Sequence, residues 1–323
     1  MVVNTLPVII DGNSLIYRNI MVSATDDLKA GGVFTGGIFG SLRSLVTILG
    51  KPELRNTVTG VYVFFDAGVP AFRKALFSEY KAARKEKRKE LPPEVEESIY
   101  EQLHQTRLLF ESLGVVCLAY RDREADDCVA AAARIFAEEY DCTPVVVSGD
   151  KDLWQCVRYG ARVWDLNKKQ WITKKNFKEV AGVRLKHYLL YKALVGDPSD
   201  GIPGASGVGQ KRAQVLVDGL EEPIPVWQLQ ELVGLLSETP DRRKFEQTII
   251  DQEEWLQDVL KGISLRRSFG NRAGLRQALT RPCTPDRLRF LKICRRLGFS
   301  SVIGNPNKYE RIFNAIQARS VLL

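Results

Sequence analysis

Short apolar runs that end on an acid constrain this chain more than any other feature of its sequence. Val8-Ile9-Ile10 leads into Asp11, Val61-Tyr62-Val63-Phe64-Phe65 into Asp66, and Val145-Val146-Val147 into Ser148-Gly149-Asp150-Lys151-Asp152. Val115-Val116-Cys117-Leu118 and Arg162-Val163-Trp164 are two further runs of the same kind. All are short, β-branched or aromatic, and bounded by Gly, Asp or Pro, which predicts strands. Helical patterns lie between them. Val95, Ile99, Leu103, Phe110 and Leu113 keep to one face of a helix opened by Pro92-Pro93, and Ala130, Ala133, Phe136 and Ala137 do the same after Glu124. Strands alternating with helices predict an α/β fold with a mainly parallel sheet flanked by helices.

From about residue 185 the strand signals stop. Ala213, Leu216, Val217 and Leu220 follow i, i+3, i+4, i+7 spacing after a glycine-rich turn, and further helices are expected over 242–260, 285–297 and 306–318. The reading places an α/β domain at 1–184 and an all-helical C-terminal region at 185–323. No internal repeat is visible, and only the basic run at 81–89 is compositionally biased.

In a parallel sheet the carboxyl ends of the strands open onto one edge, so acids placed there converge although remote in sequence. Nine carboxylates qualify: Asp11, Asp66, Glu124, Asp126, Asp127, Asp150, Asp152, Asp197 and Asp200. Each has an ordinary reading. Asp11, Asp66 and Asp150 suit caps or turns, and Glu124-Ala125-Asp126-Asp127 suits the first turn of a helix, where the dipole favours acids. Yet three carboxylates within four residues exceed what capping needs, the D-x-D of 150–152 can reach toward one cation, and the D-x-x-D of 197–200 can share one side of a tight turn. Nine acids in one cleft would repel one another unless divalent ions neutralised them. The two histidines, His104 and His187, fall in helical patterns away from the acids, and the six cysteines form no C-x-x-C pair. A zinc site or a histidine-based triad is therefore disfavoured, and oxygen-preferring Mg²⁺ or Mn²⁺ fits better.

The rest of the chain is basic, with a formal charge of +8, and the placement of that charge matters more than its size. Lys81 to Lys89 holds six cations and one acid just after the second acid-ended strand. Such a run is most often solvated surface, but here it is placed to cross the mouth of an acidic cleft, with Lys81 and Arg84 on one helical face. Gly204, Gly207 and Gly209 precede Lys211 and Arg212 at the start of a helix. Glycines free backbone amides for phosphate, and two cations that oppose the helix dipole in its first turn make sense beside one.

In this order the motifs resemble the 5′-nuclease family, which comprises the 5′-to-3′ exonuclease domain of bacterial DNA polymerase I and bacteriophage flap endonucleases. The resemblance rests on Asp11-Gly12-Asn13-Ser14, Phe64-Phe65-Asp66, Glu79-Tyr80-Lys81, Glu124-Ala125-Asp126-Asp127, Ser148-Gly149-Asp150-Lys151-Asp152, Gly196-Asp197-Pro198-Ser199-Asp200 and the glycine turn. It implies a PIN-like fold with a helical arch at about 73–95 and a helix-3-turn-helix element at about 186–222. It also implies that Asp11, Asp66, Glu124, Asp126, Asp127 and Asp150 surround a first metal ion and Asp152, Asp197 and Asp200 hold a second. By the same resemblance, Lys81 and Arg84 engage the scissile phosphate. Gly204, Gly207, Gly209, Lys211 and Arg212 bind the duplex backbone, with K⁺ as a further cation, while Tyr17, Arg18, Arg73, Lys85, Lys87 and Arg88 are further DNA contacts.

The implied activity is structure-specific hydrolysis of DNA, at a 5′ flap or 5′ end and extending to RNA/DNA primer hybrids, by two Mg²⁺ or Mn²⁺ ions in replication or repair. A non-catalytic branched-DNA-binding protein on the same fold and a PIN-type ribonuclease are the alternatives. The chain is further expected to be a stand-alone, cytoplasmic monomer with no membrane segment. The arginine-rich last hundred residues match the family most weakly.

Overall fold

A computed structural model describes residues 6–26, 28–54, 57–82, 90–220, 228–266, 272–282, 284–305, 309 and 313. The β-branched runs form a six-stranded sheet. Strands β1 (Leu6–Asp11), β4 (Val58–Phe65), β5 (Val116–Ala119), β6 (Val145–Ser148), β7 (Arg162–Asp165) and β8 (Gln170–Ile172) lie in the order β5-β4-β1-β6-β7-β8. All neighbours are parallel except β7 and β8. The five strands expected from sequence are present. The short antiparallel β8, and a two-residue hairpin of β2 (Lys29–Ala30) and β3 (Val33–Phe34), carry no comparable apolar run and were not anticipated.

Chain direction across the sheet creates the site. From β1 the chain moves to β4 and on to β5, then returns to β6 on the other side of β1. The strand order therefore reverses at β1, where a crevice opens beyond the strand ends.

The period-two alternation of the strands divides the core. Ile9, Tyr62 and Phe64 face a layer built on α5 (Ala125–Glu139), whereas Val8, Ile10, Val61 and Val63 face α1 (Gly12–Val22), α2 (Gly36–Leu49) and α4 (Pro93–Ser112). Of the apolar positions assigned to helix faces, Val95, Ile99, Phe110, Ala130, Ala133 and Phe136 are buried. Among the described residues after β8 the regular elements are helical apart from a two-residue bridge between β9 (Gly196–Asp197) and β10 (Ile202–Pro203). The helix expected at 242–260 is two helices, Lys244–Asp251 and Glu253–Ile263, divided at Gln252, which ends the first. That expected at 285–297 is Arg287–Arg296, and that at 306–318 lies largely outside the described residues.

The later helices add to the sheet's own core. One apolar cluster runs from Ile9 and Val146 through Tyr188 and Leu194 to Leu275 and Leu279. A smaller one, of Phe77, Ala193, Ile202, Val259 and Ile263, lies under the segment that follows α3 (Ala71–Leu76) and fixes the approach to Lys81.

Candidate active site

Asp11, Asp66, Asp126 and Asp150 line one cleft of about 1000 Å³, together with Asn13, Tyr17, Lys81, Lys151, Lys168, Lys192 and Asp197. Asp11 ends β1, Asp66 follows β4, Asp126 lies in the first turn of α5 after β5, and Asp150 follows β6. The convergence expected from strand-end placement is thus met by these four.

Capping and clustering turn out to be compatible uses of the same side chain. Asp11 accepts from the Ser14 amide at 3.0 Å through Oδ1 and from the Ser148 hydroxyl at 2.9 Å through Oδ2. Asp150 accepts from the Asp152 amide at 2.8 Å, capping the 3₁₀ turn of Lys151–Tyr159. The Ala125 amide donates to Asp66 at 2.7 Å. These bonds fix the carboxylates but do not neutralise them. Burial, opposed by the Ser14 amide and reinforced by Asp66, pushes Asp11 up to about 7. Burial and then Asp152 push Asp150 up to about 8. Asp66 is also raised, by desolvation first, with Asp126 and Glu124 adding to it and Lys81 opposing.

The other acids are arranged differently. Carboxylate oxygens of Glu124, Asp126 and Asp127 lie within 4.8 Å of one another, and a buried arginine stands among them. Arg73 Nη1 donates to Asp127 Oδ2 at 2.9 Å, Nη2 donates to Asp127 Oδ1 at 2.7 Å, and Nη1 also bonds Glu124 Oε2. Its Nε donates to the Gly262 carbonyl at 2.9 Å. Arg73 is 2% exposed. The family resemblance implies a DNA contact at Arg73, but its fork is turned into the protein and filled by two carboxylates. The signal that could have placed it was its position within an apolar Ala71–Leu76 pattern. Asp127, fully buried, gives both oxygens to Arg73.

Lys81 closes the group from the other side. Its ammonium bonds Glu124 Oε1, and the Tyr80 hydroxyl donates to Glu124 Oε2 at 3.0 Å. The Lys81 backbone is left-handed at φ 58° and its amide donates to the Asp200 carbonyl at 2.9 Å. The helical face expected for Lys81 and Arg84 therefore does not begin at Lys81. Arg84, Lys85, Lys87 and Arg88 lie outside the described residues.

At the far end, Lys192 links two acids: its Nζ is 2.8 Å from Asp152 Oδ1 and 2.9 Å from Asp197 Oδ2. Burial works against this ammonium, but Asp152 and Asp197 hold its pKa above the usual lysine value. Asp197 is lowered despite its burial, by Lys192 and by the Ser199 hydroxyl and amide. Asp200 is buried and does not line the cleft. Lys192 carries no sequence signal of this role, being a single cation inside an apolar helix, α7 (Tyr188–Val195). Asp165 is the instructive contrast: it ends β7, yet it is spent on the Asn167 and Lys168 amides at 2.8 and 2.7 Å and on the Trp154 indole at 3.2 Å.

The glycine turn joins α7 to α8 (Gln210–Asp218). A Cβ on Gly204 would stand 2.3 Å from the Leu194 carbonyl oxygen and 2.4 Å from the Val195 carbonyl carbon, so this glycine is demanded by packing between the helices. Gly209, the N-cap of α8, has open space around it. Gly207 has φ +78° and its carbonyl accepts from Arg212 at 2.5 Å, while Lys211 and Arg212 are exposed. Tyr17 is in the cleft wall, and Arg18 Nη1 is bonded to the Leu166 carbonyl.

The family model for the 5′-3′ exonuclease N-terminal resolvase-like domain matches residues 7–182, and the chain belongs to the 5′-3′ exonuclease family. A 5′-3′ exonuclease of Bacillus subtilis is 33% identical over 221 residues, which span 66% of this chain and 70% of that protein. One from Buchnera aphidicola is 27% identical over 210 residues, spanning 65% and 69%. Among solved structures, the 5′-exonuclease of T5 with divalent zinc ions has the same fold, with a TM-score of 0.64 at 20% identity over 91% of this chain and 98% of that one. The mainly parallel sheet flanked by helices and the helical C-terminal region are features of that fold.

Proposed function

We propose that the acid cleft is the catalytic centre of a divalent-metal-dependent, structure-specific 5′ nuclease that hydrolyses DNA phosphodiesters near single-strand/duplex junctions. One observation carries the reading: Asp11, Asp66 and Asp150 share a cleft with no cation within ion-pair distance of them among the described residues, and all three are raised by desolvation and by neighbouring acids. Carboxylates held by neutral donors and lacking a counter-charge are what a hard divalent ion, Mg²⁺ or Mn²⁺, requires. Asp126 and Glu124 complete the oxygen set, Asp127 positions Arg73, and Asp152 and Asp197 form a second acid pair around Lys192. Bound ions would supply an activated water and charge neutralisation at the leaving oxygen.

The chain's own groups supply the rest. Lys81 Nζ, anchored through its backbone to Asp200 and through Glu124 to the acid group, stands in the cleft wall where it neutralises charge on a scissile phosphate. Lys151 and Lys168 extend the positive wall along which a backbone would lie. The open amide end of α8, with Lys211 and Arg212, holds duplex phosphates without reading bases, and its turn takes a monovalent cation such as K⁺. Residues 1–184 would then form the nuclease unit and 185–323 a duplex-holding unit.

Proteins of similar fold support this reading. The T5 D15 flap endonuclease is described in a complex with DNA and metal ions, and the catalytic core of Rad2 with DNA substrate. The test is Mg²⁺-dependent cleavage of a 5′-flap duplex, a blunt duplex and a single-stranded RNA of matched length, by the wild-type chain and by Asp150→Asn. Flap cutting lost in Asp150→Asn with DNA binding retained is expected, whereas preferential cutting of the RNA or undiminished turnover by the variant would overturn the proposal.

A further inference from the structure

A second cavity, of about 690 Å³, is lined by four cations, Arg134, Arg158, Lys261 and Arg266. It is separate from the acid cleft, although one segment serves both. The 3₁₀ turn gives Lys151 and Trp154 to the cleft and Gln155, Arg158 and Tyr159 to this cavity. Among the described residues no carboxylate lines it.

The charge balance there is incomplete. Lys261 meets Asp258 at 2.7 Å, and Arg134 Nε reaches Glu138 only at 3.8 Å. That Nε is buried and makes no hydrogen bond, while Arg134 Nη1 donates to the Arg266 carbonyl at 2.9 Å and so ties two of the cationic residues together. Arg158 and Arg266 have no carboxylate within ion-pair distance among the described residues. Burial lowers the Arg158 pKa, and the like charge of Arg266 lowers it further. Guanidinium groups gathered in a concave, partly desolvated space without counter-charge favour an anion, and arginine forks match phosphate geometry. The rest of the wall mixes neutral polar groups, among them Gln155, Gln257 and Ser264, with an apolar face of Leu189, Leu229 and Leu260. The volume lies within the range of small-molecule sites.

We propose that this cavity binds a phosphorylated small molecule of mononucleotide size, its phosphate held by Arg158 and Arg266 and its base or sugar against Leu189, Leu229 and Leu260. The assignment stands on the cavity alone and does not require the nuclease reading.

The experiment is calorimetric titration of the full chain, in chelator, with adenosine 5′-monophosphate, adenosine and inorganic phosphate. Saturable binding of the monophosphate is expected, weakened at least tenfold in Arg158→Gln/Arg266→Gln, weakened several-fold in the fold-safe surface variant Lys261→Glu, and unchanged in Asp150→Asn. Adenosine should bind at least tenfold more weakly than its monophosphate. No saturable binding, equal affinity in the Lys261→Glu and double-arginine variants, loss in Asp150→Asn, or inorganic phosphate binding as tightly as the nucleotide would each overturn it. If the double variant fails to fold, Lys261→Glu alone decides.

Discussion

Arg73 grips Asp127 with both terminal nitrogens, at 2.9 and 2.7 Å, inside the acid group rather than at the protein surface. The pair is almost wholly buried, with side-chain exposures of 3% and 0%. Removing one partner of such a pair leaves the other charge uncompensated, which typically costs about 3–5 kcal/mol. Arg73→Met should therefore lower stability by about that amount in urea unfolding, and more than Arg212→Met, an exposed position. Equal costs for the two would show that the buried fork is not what holds Glu124 and Asp127 in place.

On the proposed reading, metal removal and pH act on the same carboxyls. Asp11 and Asp150 rise on folding from an ordinary value of 3.8 to about 7 and about 8, chiefly through burial. A carboxyl raised in this way binds its proton more tightly in the native state. Its penalty is absent below about pH 4 and is felt in full only above about pH 8, so stability falls as pH rises through that window. In chelator the Tm should drop by several degrees between about pH 5 and pH 8, drop less in Asp150→Asn, and recover at pH 8 on adding Mg²⁺. A Tm that climbs over the same interval, with no greater climb in Asp150→Asn, contradicts this assignment.

Lys192 is an internal cation between Asp152 and Asp197. In Lys192→Met those acids lose their partner, so the metal-free protein should melt lower than wild type. Because a divalent ion can replace an ammonium between two carboxylates, the deficit should shrink in millimolar Mg²⁺. A melting deficit that is the same with and without Mg²⁺ would mean that this pair is purely structural.

The two glycines of the turn make opposite predictions. Gly204→Ala places a methyl against the Leu194 carbonyl and the Val195 backbone and should destabilise by a few kcal/mol, about the cost of overpacking. Gly209→Ala meets nothing within 4 Å. Its stability should change by less than about 1 kcal/mol, while affinity for duplex DNA falls as the methyl crowds the amide end of α8. Unchanged duplex affinity in a folded Gly209→Ala protein would remove this turn from the DNA surface.

The parts that depend on local pattern are legible in the residues. Strand and helix periodicity fixed the sheet, and the placement of Asp11, Asp66 and Asp150 after apolar runs put them on one edge, because every carboxyl end of a parallel sheet faces the same way. Which acids already have a cation depends instead on packing between distant elements. Arg73 reaches Glu124 and Asp127 from about fifty residues upstream, Lys192 reaches Asp152 from another helix, and Lys81 is locked to Asp200 through its backbone. These pairings set the acids neutralised from within apart from Asp11, Asp66 and Asp150, which have no ionic partner among the described residues. No spacing along the chain encodes that division, since it is set by how far side chains on separate elements can reach once the core has packed.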